Sequence, residues 1–271
     1  MRPTLNKDTT LCISLAGRPS NLGTRFHNFL YDELGLDFAY KAFTTGDLEG
    51  AIRGVRALGI RGCSVSMPFK AAVLPLVDRV EESAASIDAA NTIVNEAGVL
   101  TAANTDYAAV RQLLDREAVP DDLRVLVRGS GSMAAAVVGA FRGAGFDRVT
   151  VVARNEETGR ALADRFGYRF TQDADGDFDF LVNVTPLGMT GPDGDVLAFD
   201  PDLLRGATRV LDVVATPVDT PLVRTARAAR IPVITGAEVH ALQAALQFER
   251  YTGVRLTNDQ IERASEFSRG E

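Results

Sequence analysis

Residues 123–155 read LRVLVRGSGSMAAAVVGAFRGAGFDRVTVVARN, and their order decides the fold. An apolar, β-branched run (Val125-Leu126-Val127) enters a glycine turn. A stretch of small residues at helical spacing follows, and a second β-branched run, Val149 to Val152, closes the unit. Strand, turn, helix and strand within about thirty residues make a βαβ unit, whose second strand runs parallel to its first. The turn Gly129-Ser130-Gly131-Ser132-Met133-Ala134 fits G-x-G-x-x-G/A. Glycines there allow a tight turn and let backbone N–H groups at the helix start approach a pyrophosphate; the small Ala134 lets helix and strand pack closely. The pattern is weak in isolation, but its place between a strand and a helix makes it a dinucleotide-binding turn. The end of the second strand, Ala153-Arg154-Asn155, selects the nucleotide. Arginine at that place suits the 2′-phosphate of NADP, because its guanidinium stays charged and its planar fork matches phosphate. Glu156 follows and could hydrogen-bond a ribose hydroxyl instead, so NAD remains open.

The same alternation extends outward. Strand-like runs at 11–16, 38–43, 61–66, 178–184, 208–214 and 231–234 alternate with helical patterns at 24–34, 47–58, 219–230, 236–252 and 258–270. In the second helical pattern Leu48, Ile52, Val55 and Leu58 share one face, Asp47 is a candidate N-cap and Gly59 lies just past the end. The alternation predicts α/β architecture with parallel strands. We expect a Rossmann-type dinucleotide-binding domain over 104–236. A second α/β domain for the substrate takes 1–103 and the returning helices of 237–271, with a cleft between the two. The chain crosses near 104–106 and 235–237.

At 271 residues, 46% hydrophobic and 24% charged, the chain can bury a real core. A formal net charge of -7 argues against nucleic-acid binding and against docking on an anionic membrane. No run approaches the ~20 apolar residues that a spanning helix needs. The opening MRPTLNKDTTLC lacks the build of a signal peptide. The expectation is a soluble cytoplasmic protein, monomer or homodimer, whose partner is a small molecule. Cys12 and Cys63 sit in strand-like runs without metal or disulfide spacing, so they read as core thiols and no metal is expected. His27, beside Phe26 and Phe29, reads as a packing residue.

Hydride transfer needs a proton donor or acceptor beside the substrate oxygen. Lys70, at the end of RGCSVSMPFK (61–70), and Asp106, in Asn104-Thr105-Asp106, each follow a strand-like segment bordering the expected cleft. Ser64, Ser66 and Asn91-Thr92 lie nearby in sequence, although each such cluster also serves as an ordinary cap or turn.

Taken in order, Gly17-Arg18-Pro19, CSVSMPFK (63–70), AANT (89–92), NTD (104–106), GSGSMA (129–134), ARN (153–155), NVTPLGM (183–189), DVVATPVDTPL (212–222) and Gln243 in VHALQ form a recognisable series. The chain resembles the shikimate dehydrogenase family over nearly its whole length, and within it the divergent shikimate dehydrogenase-like subgroup. The resemblance implies an NADP- or NAD-dependent oxidoreductase that interconverts 3-dehydroshikimate and shikimate, in the chorismate route of aromatic amino acid biosynthesis. It makes Lys70 and Asp106 the catalytic pair. It places Ser64, Ser66, Asn91 and Gln243 at the substrate, and Thr185, Gly188, Met189, Val213 and Gly236 with the glycine turn at the cofactor.

Departures from the family are concentrated at the substrate. The family binds the substrate carboxylate with two serines one residue apart, whereas GRPSNLGTRFHN (17–28) offers Asn21 and Gly23 nearest those places, leaving Asn21 and Thr24 as donors and adding the charge of Arg25. Ser64 replaces an asparagine, and Ala215 a tyrosine whose hydroxyl reaches the substrate. Each lost polar contact costs roughly 1–3 kcal/mol, so low efficiency on shikimate is expected. The alternatives are a related cyclic hydroxy acid, such as quinate or aminoshikimate, or a nucleotide-binding regulatory module with little catalysis.

Overall fold

The computed structural model describes residues 3–270. The chain divides into two compact units, Met1–Thr105 with Ala241–Glu271, and Asp106–His240.

The first unit opens with β1 (Thr10–Leu15), α1 (Leu22–Leu34), β2 (Phe38–Phe43), α2 (Leu48–Ala57) and β3 (Gly62–Val65). It continues through β4 (Arg79–Val80), α3 (Glu82–Ala85), β5 (Thr92–Glu96) and β6 (Val99–Ala103), and the next helix is α4 (Thr105–Arg116). Asp47 caps α2 by accepting the Gly50 N–H at 2.8 Å. The six-stranded sheet has the order β2-β1-β3-β5-β6-β4. It is mixed rather than parallel throughout, because β5 runs antiparallel to both β3 and β6. The cause is a tight hairpin. Ala97 (φ 51°) and Gly98 (φ 89°) are both left-handed, the turn geometry whose twist matches that of the flanking strands. Gly98 N–H also donates to Asn95 Oδ1 at 2.9 Å. Alanine is an unfavourable residue for the first of these positions, so the sequence carried no turn signal there.

Cys12 and Cys63 lie fully buried on β1 and β3 as free thiols. Burial pushes Cys12 up to about 12 and raises Cys63 as well. His27 is also fully buried, stacked on Tyr40 with ring centroids 4.4 Å apart.

The second unit carries β7 (Val125–Arg128), α5 (Ser132–Gly143), β8 (Val149–Val152), α6 (Glu156–Phe166) and β9 (Arg169–Thr171). After these come β10 (Phe180–Asn183), α7 (Pro201–Gly206), β11 (Arg209–Asp212), α8 (Pro221–Ala228) and β12 (Val233–Thr235). All strands are parallel, in the order β12-β11-β10-β7-β8-β9. Strand order reverses between β7 and β10, the switch point where open α/β sheets bind ligands. The close passage of the segment leaving β10 shows why glycine follows β7. Gly129 has φ 124°, and a Cβ there would come within 2.9 Å of Val184, so only glycine fits.

The chain returns to the first unit along α9 (Gly236–Thr252), and α10 (Asn258–Arg269) completes it. A Cβ on Gly236 would lie 2.3 Å from the Val214 backbone, so α9 can start against the loop leaving β11 only with glycine there. Aromatic side chains of α1 and α9 (Phe26, Tyr31, Phe248, Tyr251) form one buried cluster with Tyr40 of β2. Thr257 and Gln260 form a capping box at the start of α10, and Arg263 clamps Glu33 of α1 at 2.5 Å. No helix among the described residues is long and apolar enough to cross a membrane.

Candidate functional site

Lys70 stands on the loop leaving β3. Ser66 N–H donates to Leu15 O at 2.9 Å and Phe69 N–H to Ser66 O at 2.9 Å, which turns the chain sharply at Met67-Pro68, a cis peptide. The Lys70 carbonyl then accepts the Ala90 N–H at 2.8 Å. The Lys70 loop is thereby fixed to the residue just before Asn91.

Asn91 is only 3% exposed and gathers the neighbouring donors around one oxygen. Its Oδ1 accepts the Thr105 N–H at 2.8 Å and the Thr92 hydroxyl at 2.7 Å. The Thr105 hydroxyl shares its one hydrogen between Asn91 Oδ1 (3.1 Å) and Gln243 Oε1 (3.3 Å). Asn104 Nδ2 donates to Ala89 O at 2.8 Å, holding the same two segments together. Thr105 opens α4, and the buried Asp106 is its next residue. Ala90 thus anchors the Lys70 loop, and Asn91 anchors Thr105, the residue before Asp106.

Thr92 and Thr105, members of the polar clusters noted in the sequence, belong to this network, and Gln247, which the sequence did not single out, completes it. Gln247 is 3% exposed, and its Nε2 faces Thr92 Oγ1 (3.0 Å), Asn91 O (3.2 Å) and Ser64 Oγ (3.3 Å). It lies one helical turn beyond Gln243 on α9, and that spacing was the available signal. Ser64 is occupied twice, since its hydroxyl also bonds the Tyr40 phenol, which burial pushes up. Ser66 and Asn21 are exposed. Asn21 precedes α1 without a side-chain capping bond, and Thr24 Oγ1 is buried without a hydrogen-bond partner. No side-chain hydrogen bond among the described residues joins Asn21 or Thr24 to the Asn91 network.

In the second unit a cleft of about 580 Å³ opens at the ends of β7 and β8. Arg128, Gly129, Ser130, Ala153, Arg154 and Thr185 line it, with Asn155 at its edge. Gly131 is exposed, and a Cβ there would meet nothing within 4 Å, so a ligand can approach its backbone. Ser132 opens α5 exposed, Met133 is half-buried and Ala134 fully buried. The Ser130 hydroxyl and Thr158 Oγ1, 2.7 Å apart, tie the turn to α6, which Asn155 caps by accepting the Thr158 N–H at 3.1 Å. Arg154 is exposed and makes no ion pair among the described residues. Glu156, by contrast, is held by Arg160 at 2.6 Å and Gln172 at 2.8 Å. The carboxylate is therefore compensated while the guanidinium is available. Glycine turn, open helix start and available arginine together fit a dinucleotide carrying a 2′-phosphate. We predict that Arg154→Ala weakens NADP binding about 10- to 100-fold and leaves NAD nearly unchanged, by titration calorimetry; equal losses would remove Arg154 from 2′-phosphate reading.

A buried network shapes the adjoining ends of β10 and β11. Asn183 Oδ1 accepts the Thr185 N–H (3.1 Å) and hydroxyl (2.6 Å), and its Nδ2 donates to Leu187 O (3.2 Å) and Asp212 Oδ1 (3.0 Å). Asp212, fully buried, also accepts the Val214 N–H at 3.1 Å and the Thr220 hydroxyl at 2.6 Å. The loop carrying Thr185, Gly188 and Met189 is thus strapped to the loop carrying Val213, whose N–H donates to Asn183 O at 3.0 Å. Gly188 has φ 86° and passes Thr220, while Met189 is exposed.

Burial pushes the Asp212 carboxyl up, and its bonds to Thr220, Val214 and Asn183 pull it back only in part. The unfolded group ionises near pH ~3.9. The stability Asp212 contributes is therefore complete below that pH and is lost as pH rises through the higher folded value. An asparagine amide can keep the Thr220 contact while its oxygen keeps the other two. The stability advantage of wild type over Asp212→Asn should fall between about pH 3 and pH 7 in urea unfolding; an advantage that grows with pH contradicts this.

No group of three His, Cys, Asp or Glu residues able to hold a metal occurs among the described residues. The shikimate dehydrogenase substrate binding domain family matches residues 20–93. The chain is 50% identical over 267 residues, 98% of each sequence, to a shikimate dehydrogenase-like protein of Haemophilus influenzae. A solved shikimate 5-dehydrogenase-like protein superposes with a TM-score of 0.96 at 50% identity, covering 98% of this chain and 100% of that one. The shikimate 5-dehydrogenase of Thermus thermophilus, solved with NADP(H) and shikimate, gives a TM-score of 0.85 at 30% identity over 96% and 99% of the two chains.

Proposed function

The chain belongs to the shikimate dehydrogenase family, and from that premise we propose an NADP-preferring dehydrogenase of cyclic hydroxy acids, with 3-dehydroshikimate and shikimate as its reference pair. The first unit takes the acid and the second the nucleotide. The observation that supports this reading is that the Lys70 loop is held at Ala90 and Thr105, the residue before Asp106, at the adjacent Asn91. A bound nicotinamide supplies or accepts the hydride at the ring carbon. Lys70, as an ammonium, donates a proton to the ketone oxygen in the reductive direction and recovers one from water; in oxidation it receives the hydroxyl proton. Asp106 orients that ammonium and accepts a hydrogen bond from the same hydroxyl. Asn91 and Gln243 fix the ring's remaining hydroxyls, with Ser66, Asn21 and Thr24 as the donors left for the carboxylate end. Arg154 favours NADP over NAD.

Ser64 favours a retuned pocket. Its hydroxyl is engaged by Tyr40 and Gln247, so it cannot replace the family's asparagine without giving those up. We therefore propose low efficiency on shikimate, with quinate, aminoshikimate or a related acid as the better substrate. The test follows nucleotide reduction with a panel of these acids and both nucleotides. Turnover of at least one acid, faster with NADP, supports the reading; nucleotide binding without turnover of any acid favours a regulatory module.

A further inference from the structure

Strands buried on both faces of a parallel sheet read as continuous apolar runs. Val125, Leu126 and Val127 of β7 obey this, each fully buried, and then the fourth position is Arg128. Its side chain lies on the same face as Leu126, two residues back. There its guanidinium sits over the Phe199 ring, 5.3 Å from the centroid. Arg128 Nε is sealed from solvent and has no hydrogen-bond partner. No carboxylate pairs with Arg128 among the described residues, although Asp193 lines the same cleft. Burial alone lowers its pKa, with no neighbouring charge to offset the cost.

A partly desolvated cation without a counter-charge destabilises the unliganded fold. Its position removes the puzzle. Arg128 shares the cleft with Gly129, Ser130 and Arg154, the groups that face a dinucleotide. Resting on the proposed nucleotide role of this unit, we infer that Arg128 is a phosphate-reading residue, a second guanidinium that supplies the counter-charge for a phosphate of the bound dinucleotide. Its fork of donors suits phosphate oxygens, and stacking on Phe199 holds that fork in one orientation. The strand end, and not only the glycine turn, then contributes to phosphate binding.

The test measures NADP+ and NAD+ dissociation constants by calorimetry for wild type, Arg128→Met and Arg128→Lys, with thermal unfolding of each unliganded protein. Arg128→Met should weaken nucleotide binding by about tenfold or more, yet melt no lower than wild type, because an unpaired, partly desolvated charge has gone. Loss with both nucleotides assigns the contact to the diphosphate, and loss with NADP+ alone to the 2′-phosphate. If Arg128→Met does melt lower, Arg128→Lys decides: affinity well above that of Arg128→Met at a similar melting temperature supports charge recognition, whereas equal affinities overturn it. Unchanged constants in Arg128→Met overturn this inference alone. A wild type that binds neither nucleotide overturns the proposed function with it.

Discussion

Replacing Lys70 by alanine should reduce turnover about 10²- to 10⁴-fold with whichever cyclic hydroxy acid the protein turns over, while nucleotide affinity stays unchanged. The range is that of a positioned general acid that also stabilises a developing alkoxide. The change should appear chiefly in kcat, because the contact strengthens as charge builds on the oxygen. Folding should be spared. Lys70 holds its place through its backbone carbonyl, which the substitution leaves on Ala90, and its side chain is only half-buried. Steady-state kinetics with nucleotide titration checks both halves. A rate that survives Lys70→Ala would remove the lysine mechanism.

Asn91→Ala should be the most damaging single change to the first unit, lowering the free energy of unfolding by about 3–5 kcal/mol in urea denaturation. One oxygen accepts from Thr105 N, Thr92 Oγ1 and Thr105 Oγ1 within 3.1 Å, and all of these donors are buried. Truncation strands them away from water, and alanine also loosens the start of α4 that carries Asp106. Asn91→Asp gives the control. It keeps an acceptor for the same donors and puts negative charge beside the N-terminus of α4, where the helix dipole favours it. Its loss of stability should be less than half that of Asn91→Ala. Equal losses would mean that Asn91 acts by packing.

Legibility from sequence followed how local each signal was. The βαβ unit was readable because its evidence is consecutive: a β-branched run, a turn that only glycine can make at Gly129, and a buried small residue at Ala134. The β5–β6 hairpin was not, because Ala97 adopts a left-handed conformation without the asparagine or glycine that would announce it. Pairing β5 against β3 in that sense then made the first sheet mixed. Gln247 was missed for a related reason. An amide on a helix reads as a surface residue until the face that α9 buries is known, and only packing on β3 and β5 reveals it. The double engagement of Ser64 depends on strand order, since Tyr40 reaches it from β2 across β1. Arg128 carries no signal in the sequence beyond its place at the end of a β-branched run. Its place over the Phe199 ring, with no carboxylate paired to it among the described residues, exists only in three dimensions.

Hydride transfer itself is the most direct test of a lysine-dependent dehydrogenase. Shikimate and quinate, each deuterated at the carbon bearing the reacting hydroxyl, would be incubated with NADP+ and the wild-type protein, and the nucleotide analysed by mass spectrometry. Deuterium in the reduced nicotinamide, absent with Lys70→Ala on the same timescale, is the predicted result. Label that stays wholly in the acids after prolonged incubation, with NADP+ demonstrably bound, would contradict it.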